Sequence, residues 1–269
     1  SMYCRYILLF LGSIKWAEPW YYWLLLLIDP GSITPRTRAL ILCSPSNPTG
    51  AVYSAEEMEG LAEVLRRYPD IVVIADEIYE HINYVGAHAS IAACPGMKDR
   101  CAVINGVSKA YAMTGWRIGY IAAPEWIVKG CNKLQGQYTS GPCSVSQKAA
   151  EAAYTLGQVC VEEMRKAFER RRNLIVRLAK DIPGLEVNEP QGAFYLFPKC
   201  SSFFGKSDGV TTIHNATDFA LYLLDKAHVA TVSGDAFGAP ECFRMSYATS
   251  DENIKEAMRR IKETLAKLK

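Results

Sequence analysis

Three apolar runs mark out the first half of the chain: Ala39-Leu40-Ile41-Leu42, Ile71-Val72-Val73-Ile74 and Cys101-Ala102-Val103-Ile104. None alternates apolar with polar residues, so each reads as a short strand buried on both faces of a parallel sheet. Polar residues close each run. Ser44-Pro45-Ser46-Asn47-Pro48-Thr49-Gly50 follows the first, Asp76-Glu77-Ile78-Tyr79 the second, and Asn105-Gly106-Val107-Ser108-Lys109 the third. Open α/β sheets bind ligands beyond the carboxyl ends of their strands. The pattern therefore predicts that Asn47, Asp76 and Lys109 reach one rim.

Helical spacing appears between and after these runs. Ser54-Ala55-Glu56-Glu57 is a capping box that opens a helix through Arg67. Pro142-Cys143-Ser144 starts another that ends near Leu156. Residues 158–180 carry Met164, Phe168, Leu174, Ile175 and Leu178 on one stripe, and Pro183-Gly184 stops this long helix. Strands and helices then alternate. Residues 192–197, 229–232 and 243–247 read as strands, and residues 215–227 as a helix. A last helix starts at Asp251, capped by Thr249 with Glu252, and buries Ile254, Met258, Ile261 and Leu265. The division that follows is an atypical apolar segment at 1–32, an α/β domain at 33–157, and a smaller α+β domain with its linking helix at 158–269.

Composition narrows the function. A formal net charge of +2 gives no electrostatic reason to expect nucleic acid or a membrane surface as partner. Nine cysteines are scattered without a Cys-x-x-Cys pair, which argues against a structural zinc site and a secreted disulfide framework. They read as buried thiols of a reducing, cytoplasmic setting. His81, His88, His214 and His228 lack metal-ligand spacing and receive no catalytic or metal role. In the first segment, the apolar runs at 6–11 and 20–28 are too short to cross a bilayer, and Lys15 and Glu18 interrupt them. They are expected to patch the sheet as strands or a helix; a membrane anchor or signal segment, and a truncated, rearranged or artificial N-terminus, are the alternatives. Ser1-Met2 reads as a remnant of expression.

Candidate chemistry centres on Lys109. A lysine at a strand exit, with small neighbours and Arg117 shortly after, suits a Schiff base to an aldehyde cofactor whose phosphate the arginine holds. Most lysines are solvated surface charges, so the surrounding motifs decide. Asn47-Pro48-Thr49-Gly50, Asp76-Glu77-Ile78-Tyr79, Ser108-Lys109 through Gly115-Trp116-Arg117, and Phe243-Arg244-Met245-Ser246-Tyr247 occur in this order. Together they resemble the class I aminotransferases of the fold-type I pyridoxal-phosphate (PLP) superfamily, in particular the bacterial aspartate aminotransferase branch. The resemblance runs from about Ile33 to the C-terminus.

That resemblance implies a mostly parallel α/β sheet sandwiched by helices, here truncated, with a smaller C-terminal α+β domain. It also implies roles. Lys109 bonds PLP and moves the substrate proton. Asp76 pairs with the pyridine nitrogen. Asn47 and Tyr79 bond the 3′-oxygen, Ser108 and Arg117 hold the phosphate, and Arg244 with Asn47 takes the substrate α-carboxylate. The implied reaction exchanges an amino group between an L-amino acid, aspartate first, and 2-oxoglutarate, in a homodimer. A PLP-dependent lyase or synthase, and a catalytically silent homologue acting as a binding module, are the alternatives.

The family's large domain begins much further upstream of Asn-Pro-Thr-Gly than the position of Asn47 allows. The part without a counterpart includes a phosphate-cradling loop and a ring-stacking aromatic, so cofactor binding weaker than in a full-length relative, or none, is expected. Tyr21, Tyr22 and Trp23 are candidates for that aromatic.

Overall fold

The computed structural model describes the backbone of Ile7–Leu11 and all of residues 33–269. The run at 20–28, with Tyr21, Tyr22 and Trp23, lies outside the described residues, as do Ser1 and Met2.

Two compact units emerge. In the first, β1 (Ile7–Leu11), β2 (Thr37–Cys43), β3 (Val72–Asp76), β4 (Cys101–Gly106) and β5 (Gly119–Ala122) form one sheet in that order. β1 to β4 run parallel and β5 antiparallel. The three runs that the sequence marks are thus adjacent central strands, and part of the 6–11 run adds a fourth. α1 (Ala55–Arg66) covers one face. Its capping box is present: Ser54 Oγ accepts from the Glu57 N–H at 3.1 Å, and Glu57 Oε2 accepts from the Ser54 N–H at 2.8 Å. Met58, Leu61, Ala62 and Leu65 recur at helical spacing and pack on Leu40, Leu42, Val73 and Ala75.

The opposite face differs from the expectation of strands buried on both sides. Ile41, Val72 and Ile74 are half-buried, and Ile104 is exposed. Two elements were not anticipated: β5, and α2 (Glu125–Tyr138), which has no buried residue. α3 (Ser144–Thr155) follows the predicted start and end closely, and α4 (Val159–Lys180) is the predicted long helix.

The second unit comprises Ser46–Ala51 and Arg165–Lys269. β6 (Tyr195–Leu196), β7 (Val232–Ser233) and β8 (Phe243–Ser246) form an antiparallel sheet in the order β6-β8-β7. β6 is shorter than the strand predicted at 192–197: Ala193 adopts a left-handed backbone (φ 56°), so the extended run starts only after it. The strand predicted at 229–232 meets β7 only at Val232. The helix predicted at 215–227 is α5 (Ala216–Tyr222) continued by a π-turn over Leu223–Ala227. α6 (Asp251–Leu265) buries the four predicted residues, but its cap is Ser250, not Thr249. Ser250 Oγ accepts from the Asn253 N–H, and Thr249 instead bonds the Asn253 side chain.

The loop Ser46–Ala51 is held within this unit by its backbone. Gly50 O accepts from the Gln191 and Gly192 N–H groups at 2.8 Å, and Thr49 O accepts from Asn188 Nδ2 at 2.8 Å. Gly50 has φ +70°, and a Cβ there would collide with Pro190, so this position demands glycine.

Candidate active site

In the first unit, β3 ends at Asp76 and β4 runs on toward Lys109. The Asp76 backbone is fixed from both sides: Ser44 N–H donates to Asp76 O at 3.2 Å, and Glu77 N–H donates to Ile104 O at 2.9 Å. The ladder therefore reaches past the strand ends and presents the Asp76 side chain at the carboxyl rim. Its Oδ1 accepts from the Ile78 N–H at 3.3 Å. Burial pushes the Asp76 carboxyl above the usual carboxylate range. The Ile78 N–H and the charge of Lys109 pull it back, and Glu77 adds to the rise. Lys109 is thus near enough for its charge to act on the Asp76 carboxyl. Lys109 Nζ lies 5.7 Å from the centre of the Tyr79 ring, which is itself buried. Asp76, Tyr79 and Lys109 are brought together.

The segment after Lys109 closes on itself. Ala112 N–H donates to Lys109 O, Thr114 Oγ1 donates to Ser108 O at 3.0 Å, and Arg117 Nη1 donates to Thr114 O at 2.9 Å. Ala112 and Arg117 both take φ 52°, a left-handed conformation uncommon outside glycine and concentrated at functional sites. Ser108 is half-buried and Arg117 exposed. Among the described residues no carboxylate pairs with Arg117, which leaves its Nε–Nη2 edge open.

Glu77 braces the turn after Asp76. Its buried carboxylate accepts from Ser90 Oγ at 2.6 Å and meets His88 Nε2 at 2.9 Å. Glu77, Glu80 and His88 bring ligand-type atoms within 4.8 Å of one another, but Ser90 and His88 occupy both Glu77 oxygens. Sequence reasoning gave His88 no role; its bond to Glu77 is legible only once the loop is closed. An open apolar groove of about 640 Å³, lined by Tyr111, Met113, Trp116, Leu156 and Val159 among others, lies beside this segment and includes none of the predicted site residues.

In the second unit, Arg244 and Asn47 are brought together from 197 residues apart: Arg244 Nη1 donates to Asn47 Oδ1 at 2.7 Å. The guanidinium lies over the Tyr195 ring at 4.5 Å and the Phe237 ring at 4.9 Å. Both rings were missed by sequence reasoning. Among the described residues no carboxylate pairs with Arg244. Among the described residues, the contacts that hold this half-buried guanidinium are an amide oxygen and two rings, all neutral.

The profile of the family Aminotransferase class I and II matches residues 26–261. The chain belongs to this family. It is 50% identical over 252 residues to the bifunctional aspartate aminotransferase and glutamate/aspartate-prephenate aminotransferase of Petunia hybrida, covering 90% of this chain and 53% of that protein. It is 48% identical over 233 residues to the aspartate aminotransferase of Rhizobium meliloti (strain 1021), covering 86% and 57%. The crystal structure of an aspartate aminotransferase from Rhizobium meliloti superposes with a TM-score of 0.85 at 46% identity, over 89% of this chain and 60% of that one. The chain therefore spans a little over half the length of these relatives. The family is PLP-dependent, and its α/β fold is the one described above. No helix among the described residues is long and apolar enough to cross a membrane.

Proposed function

We propose that this chain carries the PLP and carboxylate sites of an aminotransferase that moves an amino group between an L-amino acid, aspartate by preference, and 2-oxoglutarate. One observation carries the reading: Asp76 ends β3, and Lys109 lies beyond the end of the neighbouring strand β4 with its amine over the ring of buried Tyr79.

The donor set fits the cofactor. A desolvated Asp76 suits a cationic ring nitrogen, because an adjacent positive charge offsets the cost of burying the carboxylate. Tyr79 and Asn47 are the groups assigned to the 3′-oxygen, and Ser108 with the open edge of Arg117 to the phosphate. When bound, PLP supplies an electron sink for the electrons left at the substrate Cα. Asp76 keeps the ring nitrogen protonated. Lys109 Nζ takes the Cα proton and returns it, acting as base and then acid. Arg244 grips the substrate α-carboxylate on its free N–H edge, which fixes the Cα–H bond in direction. The same proposal includes a homodimer in the cytoplasm. Of the thiols expected to be buried, Cys43, Cys101, Cys200 and Cys242 are, whereas Cys143 and Cys160 are exposed.

Adding PLP to the purified chain is expected to give the absorbance band of a lysine-bound cofactor, fixed on Lys109 by borohydride. Aspartate with 2-oxoglutarate is expected to yield glutamate, and Lys109→Ala to abolish both signals. Cofactor fixed at another lysine, or glutamate formed by Lys109→Ala, overturns the assignment. Elimination products without glutamate favour the lyase reading.

A further inference from the structure

Two side chains with no assigned role, Phe237 and Tyr195, determine how Arg244 is held. β8 is the middle strand of its sheet. Phe243 and Met245 point into the core, so Arg244 and Ser246 share the opposite face. Tyr195 pairs directly with Ser246 across β6 and β8, which puts its ring on that same face, diagonal to Arg244. The ring is fixed in turn: it packs on Phe194 at 4.7 Å, and Phe194 stacks on Phe168 at 5.2 Å.

Phe237 arrives by a different route, at the end of the 3₁₀ turn Gly234–Phe237. This turn leaves no room for side chains at its start. A Cβ on Gly234 would collide with the carbonyl oxygens of Ala239 and Cys242, and Gly238 closes the turn at φ +71°. Phe237 also meets Phe197 edge-on at 5.9 Å. A sterically specified turn thus delivers one ring to the guanidinium, and a strand register delivers the other.

The chemistry of this arrangement matters more than its rigidity. A carboxylate partner would hold Arg244 equally well but would occupy the N–H edge and neutralise the charge. Two ring faces and one amide oxygen hold the guanidinium while leaving its charge unspent. We propose that Phe237 and Tyr195 are positioning residues that fix the plane of Arg244, so that an incoming carboxylate meets a pre-set pair of N–H donors. This rests on the reading of Arg244 as the carboxylate clamp.

The test uses the chain with PLP added and maleate as the probe. Phe237→Leu keeps an apolar side chain but removes the ring face. It is expected to raise the maleate Kd, and the KM for aspartate, about threefold to tenfold with kcat little changed. Phe237→Tyr is expected to restore both. An NMR signal from the Arg244 Nε–Hε group, assigned by its loss in Arg244→Lys, reports the geometry independently of turnover. Ring currents displace it in the parent chain, and Phe237→Leu is expected to move it back toward the position of a solvated arginine. If Arg244→Lys loses maleate while Phe237→Leu binds as the parent does with its Hε signal unmoved, the clamp stands and the positioning role is overturned. If Arg244→Lys binds maleate like the parent, the clamp reading falls, and an unmoved Hε signal in Phe237→Leu still overturns the positioning of the guanidinium.

Discussion

Asp76 carries opposite demands. Its carboxyl is raised by burial, so the folded chain holds a proton more tightly there than the unfolded chain does. Without cofactor, the site therefore contributes its full stability below the ordinary aspartate value and loses it as pH rises through the folded value. Asp76→Asn removes the charge and keeps an oxygen for the Ile78 N–H. Compared with the parent, the cofactor-free variant is expected to melt higher at pH 7, with the gain fading as pH falls toward 4. Thermal melts across that range check this; a variant that melts lower at pH 7 contradicts it. The same substitution is expected to weaken PLP binding, a trade of stability for function common at active sites. Residues such as Asp76 and Lys109 were legible because their chemistry lies within a few positions of a buried strand's end. Tyr195 and Phe237 were not. Their contacts with Arg244 depend on the pairing of Tyr195 with Ser246 and on a glycine-bounded turn, and neither leaves a local signal in a single sequence.

At the scale of elements, α1 and α2 make an instructive pair. α1 announced itself with a capping box and an apolar stripe, and both are realised. α2 carries Ile127, Cys131, Leu134 and Tyr138 at helical spacing, yet none is buried, and Pro124 at its start offers no side-chain cap. Without cap or boundary signal, this helix blended into the motif before it. The difference in packing predicts a difference in cost. Leu61→Ala opens a cavity beneath β2 and β3 and is expected to destabilise by about 2–5 kcal/mol. Leu134→Lys removes no packed contact and is expected to stay within about 0.5 kcal/mol of the parent. Denaturant unfolding of both variants separates the cases; equal losses would mean that α2 is packed in solution. The cap of α6 was misplaced by one residue for a simpler reason. Thr249 and Ser250 are both competent caps, and the choice depends on which hydroxyl faces the Asn253 N–H.

For the whole molecule, the pattern of β2 to β4 is more apolar than its surroundings account for. Strands without alternation suit a sheet covered on both faces. Here α1 covers one face, while Ile41, Val72 and Ile74 on the other are half-buried and Ile104 is exposed. Leu134 and Tyr138, 66% and 88% exposed, add apolar surface from α2. Apolar side chains left exposed on a folded chain have a measurable consequence. The native protein is expected to bind the dye ANS at neutral pH, well below its unfolding temperature. Leu134→Lys combined with Tyr138→Lys should lower that fluorescence with the far-UV circular dichroism unchanged. A folded parent chain that binds no dye would show that these side chains are covered in solution, and the surface reading of α2 would fall. Loss of helical signal in the double variant would instead mean that the apolar stripe is what holds α2 together. The two readouts, taken on one sample, distinguish a stripe facing water from one already packed.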